Sequence, residues 1–116
     1  MPAKIGSVVI DCEDPAALAP FWVAALGYKQ PESTEEFIWM EDPEGQGIRL
    51  MLQKVDTPKT AKNRVHLDLD TPDLDAELAR LTGLGATVLR GYEMEGIRWS
   101  VLQDPGGNEF CVAEHH

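Results

Sequence analysis

Three side chains of this chain have the clearest capacity for chemistry: an imidazole, a guanidinium and a thiol. His66 is the one histidine away from the carboxyl terminus. Because imidazole titrates near neutrality, His66 can act as a hydrogen-bond donor or general base, or can simply bond a neighbour. Arg49 can hold a ligand carboxylate or phosphate by a bidentate fork, or can pair with an internal acid such as Asp68 or Glu109. Cys111 is a nucleophile only if Arg49 or His66 stabilises its thiolate, and is otherwise a small half-buried filler.

Three tryptophans add large flat surfaces to a chain of 116 residues. Trp22 falls on the apolar stripe of a helical pattern and is predicted to lie in the core. Trp39 and Trp99 each precede an Asp-Pro turn. Either can stack on a flat ligand, or can serve plain packing or a dimer contact.

These residues sit in a sequence that is repeated. Residues 5–53 and 64–114 each predict a strand, a helix ending in Leu-Gly, an extended segment, an Asp-Pro-x-Gly turn and a final strand. About 50 residues is marginal for a module that folds alone. The pattern therefore predicts one domain over 1–116, built from two βαβββ modules that share a core and joined by a linker at 54–63.

Two cap-and-proline pairs, Asp14-Pro15 and Thr71-Pro72, predict where the helices begin. The first helix should end at Gly27. Pro20 lies inside its pattern, so we expect a kink there or a start near Ala17. The second helix buries a leucine stripe at positions 74, 78 and 81.

Alternation along the strands separates an apolar face from a polar one. The apolar positions should pack under the helices: Val8 and Ile10; Ile48, Leu50 and Leu52; Val65, Leu67 and Leu69; Phe110 and Val112. The opposite positions predict the lining of a pocket between the two modules: Ser7, Val9 and Asp11; Arg49, Met51 and Gln53; His66, Asp68 and Asp70; Glu109, Cys111 and Ala113.

Composition narrows the function classes. The formal net charge of −10 argues against nucleic acid or an anionic membrane as partner and is compatible with a cationic ligand. No apolar run is long enough for a membrane span, and no secretion signal is evident. Two cysteines, predicted on opposite faces, make a disulfide framework improbable and favour the cytoplasm. His115 and His116 resemble the start of a purification tag and are left out of the functional argument.

The repeat, the helix FWVAALGY, and the segments NRVHLDL and DPGGNEFCV together resemble the glyoxalase/bleomycin-resistance/dioxygenase group, also called the vicinal oxygen chelate superfamily, and within it the glyoxalase-like domain proteins. The resemblance covers nearly the whole chain. It implies an α+β fold in which two paired βαβββ repeats form a curved, roughly eight-stranded mixed sheet with helices on the outer face, commonly as a homodimer. Functions in this group include lyases, dioxygenases, epimerases and antibiotic-sequestering proteins.

The resemblance also implies where a divalent metal would bind: one residue from the first and one from the last strand of each repeat. Those positions hold Ser7, Arg49, His66 and Cys111, of which His66 alone matches the usual His/Glu pattern. Ser7 is a weak neutral ligand and Arg49 is a permanent cation. His66 and Cys111 leave a zinc site one donor short, unless a different register adds Asp68 or Glu109. We therefore expect no catalytic metal.

Taken together, the sequence predicts a cytoplasmic, homodimeric protein that binds a small organic molecule in a cleft between the repeats. The alternative is a lyase, isomerase or dioxygenase that uses a divalent metal, or His66 as acid and base. The predicted ligand-binding residues are Ser7, Arg49, His66, Asp68, Trp99, Glu109 and Cys111.

Overall fold

The computed structural model describes residues 2–31 and 33–115 and confirms the predicted α+β class. The chain divides into two compact units, Met1–Pro58 and Lys59–His116. Their boundary falls inside the segment 54–63 that the repeat predicts as a linker. Neither helix in the described ranges is long and apolar enough to cross a membrane.

The first unit is a three-stranded sheet with one helix. Its order is β1-β3-β2, with β1 parallel and β2 antiparallel to β3. The described residues of the extended segment after the helix form no regular strand, and two isolated bridges, Lys29–Glu41 and Ser33–Ile38, connect the segment to β2 and to the residue that follows it. Pro31 lies between these bridges and has no N–H for a continuous ladder. The described elements are β1 Ser7–Cys12, α1 Pro15–Leu26, β2 Phe37–Met40 and β3 Arg49–Lys54.

Helix α1 begins and ends where its flanking residues predict. The Asp14 carboxylate accepts a hydrogen bond from the backbone N–H of Ala17 at 3.2 Å, and Gly27 closes the helix in the left-handed region at φ 68°. The helix therefore starts at Pro15, and the alternative start near Ala17 is wrong. Pro20 lies within the helix. Pro20 has no N–H to donate to the carbonyl of Ala16, but Ala16 is exposed, so water can reach that carbonyl.

The second unit contains the complete βαβββ module. Its sheet has the order β4-β7-β6-β5, in which β4 is parallel to β7 and the other pairs are antiparallel. The described residues of the two units thus form seven regular strands, which is consistent with the predicted pair of βαβββ modules. The elements of the second unit are β4 Asp68–Asp70, α2 Leu74–Gly83, β5 Thr87–Met94, β6 Ile97–Gln103 and β7 Glu109–His115.

Helix α2 begins two residues later than Thr71-Pro72 predicts. Asp73 is the N-cap, and its carboxylate accepts from the backbone N–H of Ala76 at 3.1 Å. The backbone N–H of Thr71 donates to the Ala113 carbonyl at 2.9 Å. Thr71 therefore still continues the β4 ladder, and the chain cannot enter a helix there.

The core follows the predicted apolar faces in part: of the ten predicted strand positions four are buried, two are exposed, and four are half-buried, namely Val8, Ile10, Leu67 and Leu69. In the first unit Trp22 is 1% exposed and packs edge-on against Phe21 at 5.1 Å. Ile48 and Val65 are 53% and 83% exposed. Their predicted burial was wrong because each precedes its strand, where period-two alternation does not yet apply. The buried core residues of the predicted sets are Leu18, Trp22, Leu50 and Leu52 in the first unit and Leu74, Leu81, Phe110 and Val112 in the second.

The two Asp-Pro turns are closed by their aspartates. The Asp42 carboxylate accepts from the backbone N–H groups of Glu44, Gln46 and Gly47 at 2.9, 3.1 and 2.8 Å. These donors, those of Glu44 and Gly47 above all, hold the pKa of Asp42 below its ordinary value. Asp104 repeats the arrangement in the second unit.

We expect Asp42→Asn to lower the Tm at neutral pH and to lose that effect in acid. A lowered pKa in the folded state means that ionised Asp42 stabilises the fold above its ordinary pKa of about 4, and that this contribution is lost as pH falls through the folded pKa. Thermal unfolding of both proteins from pH 7 to pH 2.5 measures the difference. Glu44→Gln is the matched control and should show a small difference at every pH. A Tm difference for Asp42→Asn that is constant with pH would contradict this account.

Candidate functional site

Four strands of the second unit bring one row of side chains across the same face of the sheet. Asp68 on β4 is paired with Cys111 on β7, Cys111 with Val101 on β6, and Val101 with Arg90 on β5. Directly paired residues share a face, and neighbouring strands are about 4.8 Å apart. The row therefore extends roughly 14 Å from a carboxylate, across a thiol and a valine, to a guanidinium.

The next row on this face is aromatic at one end. Tyr92 is paired with Trp99, and Trp99 with Ala113. The rings of Tyr92 and Trp99 stack with centroids 5.2 Å apart and planes inclined by 21°. Arg90 Nε donates to the Tyr92 hydroxyl at 2.8 Å, which ties the aromatic pair to the polar row. This face of the second unit, defined by residues 68, 90, 92, 99, 101 and 111, is called the row face below.

His66 lies at the edge of the row face, in the irregular segment just before β4. Its Nε2 is 3.1 Å from Asp68 Oδ1. One donor atom each from His66, Asp68 and Cys111 lie within 4.8 Å of one another. The side chains of His66 and Asp68 are 42% and 67% exposed, so this cluster is open to small molecules and ions.

The Cys111 thiol is held in its protonated form. Burial raises its pKa, and so do the negative charge of Asp68 and the hydrogen bond that the thiol donates to that carboxylate; Lys62 and Arg90 act weakly in the opposite direction. A thiol with a raised pKa is a poor nucleophile at neutral pH. The geometry thus favours Cys111 as a half-buried surface element over a covalent catalyst.

Glu109 fastens the segment that carries His66. Its carboxylate accepts from the backbone N–H of Asn63 at 2.9 Å and pairs with Lys59 Nζ at 3.0 Å, while its carbonyl accepts from Asn63 Nδ2 at 3.1 Å. The N–H of Asn63 first, and then Lys59, lower the pKa of Glu109. The Lys59 and Glu109 side chains are only 19% and 11% exposed. Glu109 is therefore committed to internal contacts that hold residues 59–63 against β7.

The two predicted ligand-binding residues of the first unit lie next to each other. Ser7 and Arg49 are direct partners in the parallel β1–β3 ladder. Arg49 Nη1 is 3.7 Å from Glu41 Oε1, and both side chains are about 40% exposed. Within the first unit, the acid that pairs with Arg49 is thus Glu41. The proposal that residues 7, 49, 66 and 111 face one another stays a prediction.

Comparison with known proteins agrees with this architecture. The chain matches the family model of the glyoxalase-like domain over residues 7–113. The chain belongs to the glyoxalase-like domain family. No curated protein sequence matches it significantly.

Solved structures share the fold at low identity. A glyoxalase/bleomycin resistance protein/dioxygenase family enzyme from Burkholderia phytofirmans PsJN has a TM-score of 0.76 and 18% identity, covering 98% of this chain and 100% of that one. A lactoylglutathione lyase from Agrobacterium tumefaciens has a TM-score of 0.70 and 19% identity, covering 98% and 95%. A fosfomycin resistance protein, FosX, from Listeria monocytogenes, solved with Mn(II) and 1S,2S-dihydroxypropylphosphonic acid, has a TM-score of 0.81 and 12% identity, covering 100% and 93%.

The residues of this glyoxalase-like protein do not fit a hard divalent ion at the four positions that the family resemblance implies. Arg49 brings a permanent positive charge that is already paired with Glu41. Ser7 offers a neutral hydroxyl, and Cys111 offers sulfur where hard ions prefer carboxylate. Those four residues are therefore a poor donor set for such an ion.

Two residues of the row face, Arg90 and Tyr92, escaped the sequence prediction. Both lie on β5, which continues to Met94. Gly91, Glu93 and Gly96 weaken the strand signal there. Alternation along a longer β5 would have placed Arg90 and Tyr92 on one face.

Two larger cavities lie in the first unit. One, of about 480 Å³, lies beside the amino end of α1 and is lined by residues that include Glu13, Asp14 and Glu35, and by none of the predicted site residues. Another, of about 350 Å³, borders the Asp42 turn and includes Arg49. The row face instead combines aromatic, basic and acidic groups in register on neighbouring strands.

Proposed function

We propose that this glyoxalase-like protein binds a small organic molecule on the row face of its second unit, without the family's four-position metal site. The observation that carries this proposal is the alignment of two rows, one polar and one aromatic, on neighbouring positions of the same four strands. The flat part of the ligand lies against Trp99 and Tyr92. Its polar group reaches Arg90 or His66.

The aromatic pair supplies a ready stacking surface. Tyr92 is 45% exposed, and its ring is already stacked on Trp99 and bonded through its hydroxyl to Arg90. A ring of the ligand that stacks on this pair contacts side chains whose orientation is already fixed, so little side-chain entropy is lost on binding.

The polar row supplies orientation. The Arg90 guanidinium uses its Nε for Tyr92, and its fork geometry suits an acceptor group such as a carboxylate or phosphate. His66, bonded to Asp68, lies at the other end of the row. A span of roughly 14 Å suits a ligand of one or two rings with a polar substituent.

A thermal-shift screen of antibiotics and metabolites tests the proposal, with flat carboxylates and phosphates as the favoured class. A ligand at 100 times its Kd should add about 2.7 kcal/mol to the free energy of unfolding and raise the Tm by several degrees. Each hit is repeated on Arg90→Met, in which the shift should shrink. The proposal would be overturned if no class of ligand stabilises the protein. It would also be overturned if the thermal shift of every hit is unchanged by Arg90→Met and by substitution of the row-face aromatic residues.

A second candidate function is proton transfer by His66. It is favoured by the 3.1 Å contact between His66 Nε2 and Asp68, which can orient the ring as a general base. The protein would be an enzyme of this kind, and not a binding protein, if it converts a screened ligand, keeps that activity after metal removal and loses it in His66→Gln. The homodimer and the cytoplasmic location stay predictions.

A further inference from the structure

We infer that the ligand of the row face is a zwitterion: its anionic group binds at the β5 end of the face, and its protonated amine binds at the β4 end. The inference rests on the proposed function and adds to it the charge class of the ligand and the direction in which the ligand lies. It is carried by charges of opposite sign at the two ends of the same rows of side chains.

The β4 end of the row face is acidic in both rows. Asp68 is the first residue of the polar row, and Asp70, which is paired with Ala113, is the first residue of the aromatic row. Residues two apart on a strand share a face and lie roughly 7 Å apart. The side chains of Asp68 and Asp70 are 67% and 80% exposed. These two carboxylates, called the acidic edge below, are therefore accessible to a ligand.

The contacts at the acidic edge leave acceptor positions for an ammonium group. His66 Nε2 is 3.1 Å from Asp68, and His115 Nε2 is 3.5 Å from Asp70. Asp68 also accepts the hydrogen bond of the Cys111 thiol. Because a carboxylate has two oxygens and about four lone-pair positions, both carboxylates can still accept from one of the three donors of an ammonium. The charge-assisted hydrogen bond that forms is stronger than a neutral one.

The β5 end of the row face is basic. Arg90 ends the polar row, and its Nε donates to the Tyr92 hydroxyl at 2.8 Å. No ion pair joins Arg90 to a carboxylate of residues 2–31 or 33–115, so its terminal N–H groups can hold a carboxylate or phosphate in a bidentate fork. Tyr92 stacks on Trp99. A ligand ring on this stack therefore carries its acidic substituent next to Arg90.

Uncharged residues separate the two ends. The middle of the rows consists of Cys111 and Val101 in one row and of Ala113 and Trp99 in the other. Val101 and Ala113 are 7% and 8% exposed, and the raised pKa of the Cys111 thiol keeps that group neutral. The ends are roughly 14 Å apart, which exceeds the Debye length of about 8 Å at physiological ionic strength. The charges at the two ends therefore do not neutralise each other, and only a ligand that carries both signs finds a partner at each end.

Three matched probes test the charge class of the ligand. The zwitterion is 4-(3-aminopropoxy)benzoate, its N-acetyl derivative lacks the ammonium group, and its methyl ester lacks the carboxylate. We expect the zwitterion to bind most tightly, and each neutral replacement to raise the Kd about fivefold, which is the loss expected for one partly exposed ion pair. Isothermal titration calorimetry with the full chain measures the three Kd values.

Variants assign each preference to one end of the row face. The double variant Asp68→Asn with Asp70→Asn should abolish the preference for the amine over its N-acetyl derivative and keep the preference for the acid over its ester. Arg90→Met should do the reverse. Glu44→Gln, which removes an exposed carboxylate of the first unit, is the control and should keep both preferences. Because each readout is a ratio of two Kd values for one variant, a general loss of affinity or stability does not change it.

The inference is overturned if none of the three probes binds, if either neutral derivative binds as tightly as the zwitterion, or if the preference for the amine survives in the double variant. Trp99→Ala distinguishes this failure from that of the proposed function. If the probes bind equally and Trp99→Ala weakens all of them, the row face binds organic molecules without selecting a zwitterion, and only the inference fails. If Trp99→Ala and Arg90→Met change the Kd of no probe, the probes bind elsewhere, and the proposed function fails as well.

Discussion

Trp99→Ala will weaken the binding of a screened ligand by roughly 30- to 1,000-fold. A tryptophan at the centre of a binding surface typically contributes about 2–4 kcal/mol, and each 1.4 kcal/mol is a factor of ten. Here the loss is compounded, because Tyr92 loses the ring on which it stacks at 5.2 Å. Isothermal titration with the strongest hit of the screen measures the change.

Two matched substitutions give this prediction its control. Trp39→Ala removes a tryptophan of the first unit, which lies tilted against Phe37 at 6.2 Å, and should change Kd less than about threefold. Trp99→Phe keeps a flat ring and should recover most of the affinity. If Trp39→Ala weakens binding while Trp99→Ala does not, the ligand does not lie on the row face.

Glu109→Ala will lower the free energy of unfolding by about 2–3 kcal/mol. The substitution leaves the largely buried Lys59 ammonium without its carboxylate and removes the acceptor of the Asn63 backbone N–H. The Lys59 ammonium and the Asn63 N–H would each lose the partner that offsets the free-energy cost of removing them from water. Urea unfolding measures the change through the transition midpoint at constant slope.

Partial replacements separate the two contributions. Glu109→Gln keeps an acceptor for Asn63 and loses the ion pair, so it should cost about half as much. Lys59→Met added to Glu109→Ala removes the stranded charge and should recover part of the stability. A double variant no more stable than Glu109→Ala would show that Lys59 is adequately solvated, and the ion-pair part of the explanation would be wrong.

Local signals predicted much of the fold. Asp14 and Gly27 bound α1 because capping depends on residues within one turn of the helix end. The leucine stripe of α2 and the alternation in β3 and β7 followed from the periods of helix and strand. The errors came where longer-range pairing prevailed: Thr71 stays in a ladder with Ala113, and Pro31 interrupts a strand.

The sequence predicted most of the residues of the candidate site, but only part of their spatial arrangement. Alternation put His66, Asp68 and Cys111 on one polar face, and the structure brings these three together. It assigns Glu109 to an internal pair with Lys59, which no local pattern could reveal because Lys59 lies in an irregular segment.

The sequence by itself determined the duplicated modules, the two helices, the family and the face on which the residues of β1, β3, β4 and β7 lie, because these depend on neighbours along the chain. Tertiary structure alone decided which residue stands beside which. The placing of Arg90 in line with Cys111, and of Cys111 beside Asp68, depends on which residues of distant strands pair with one another. If one strand were shifted by two residues against its neighbour, every side chain would stay on its face, but the side chains of both rows would no longer be aligned.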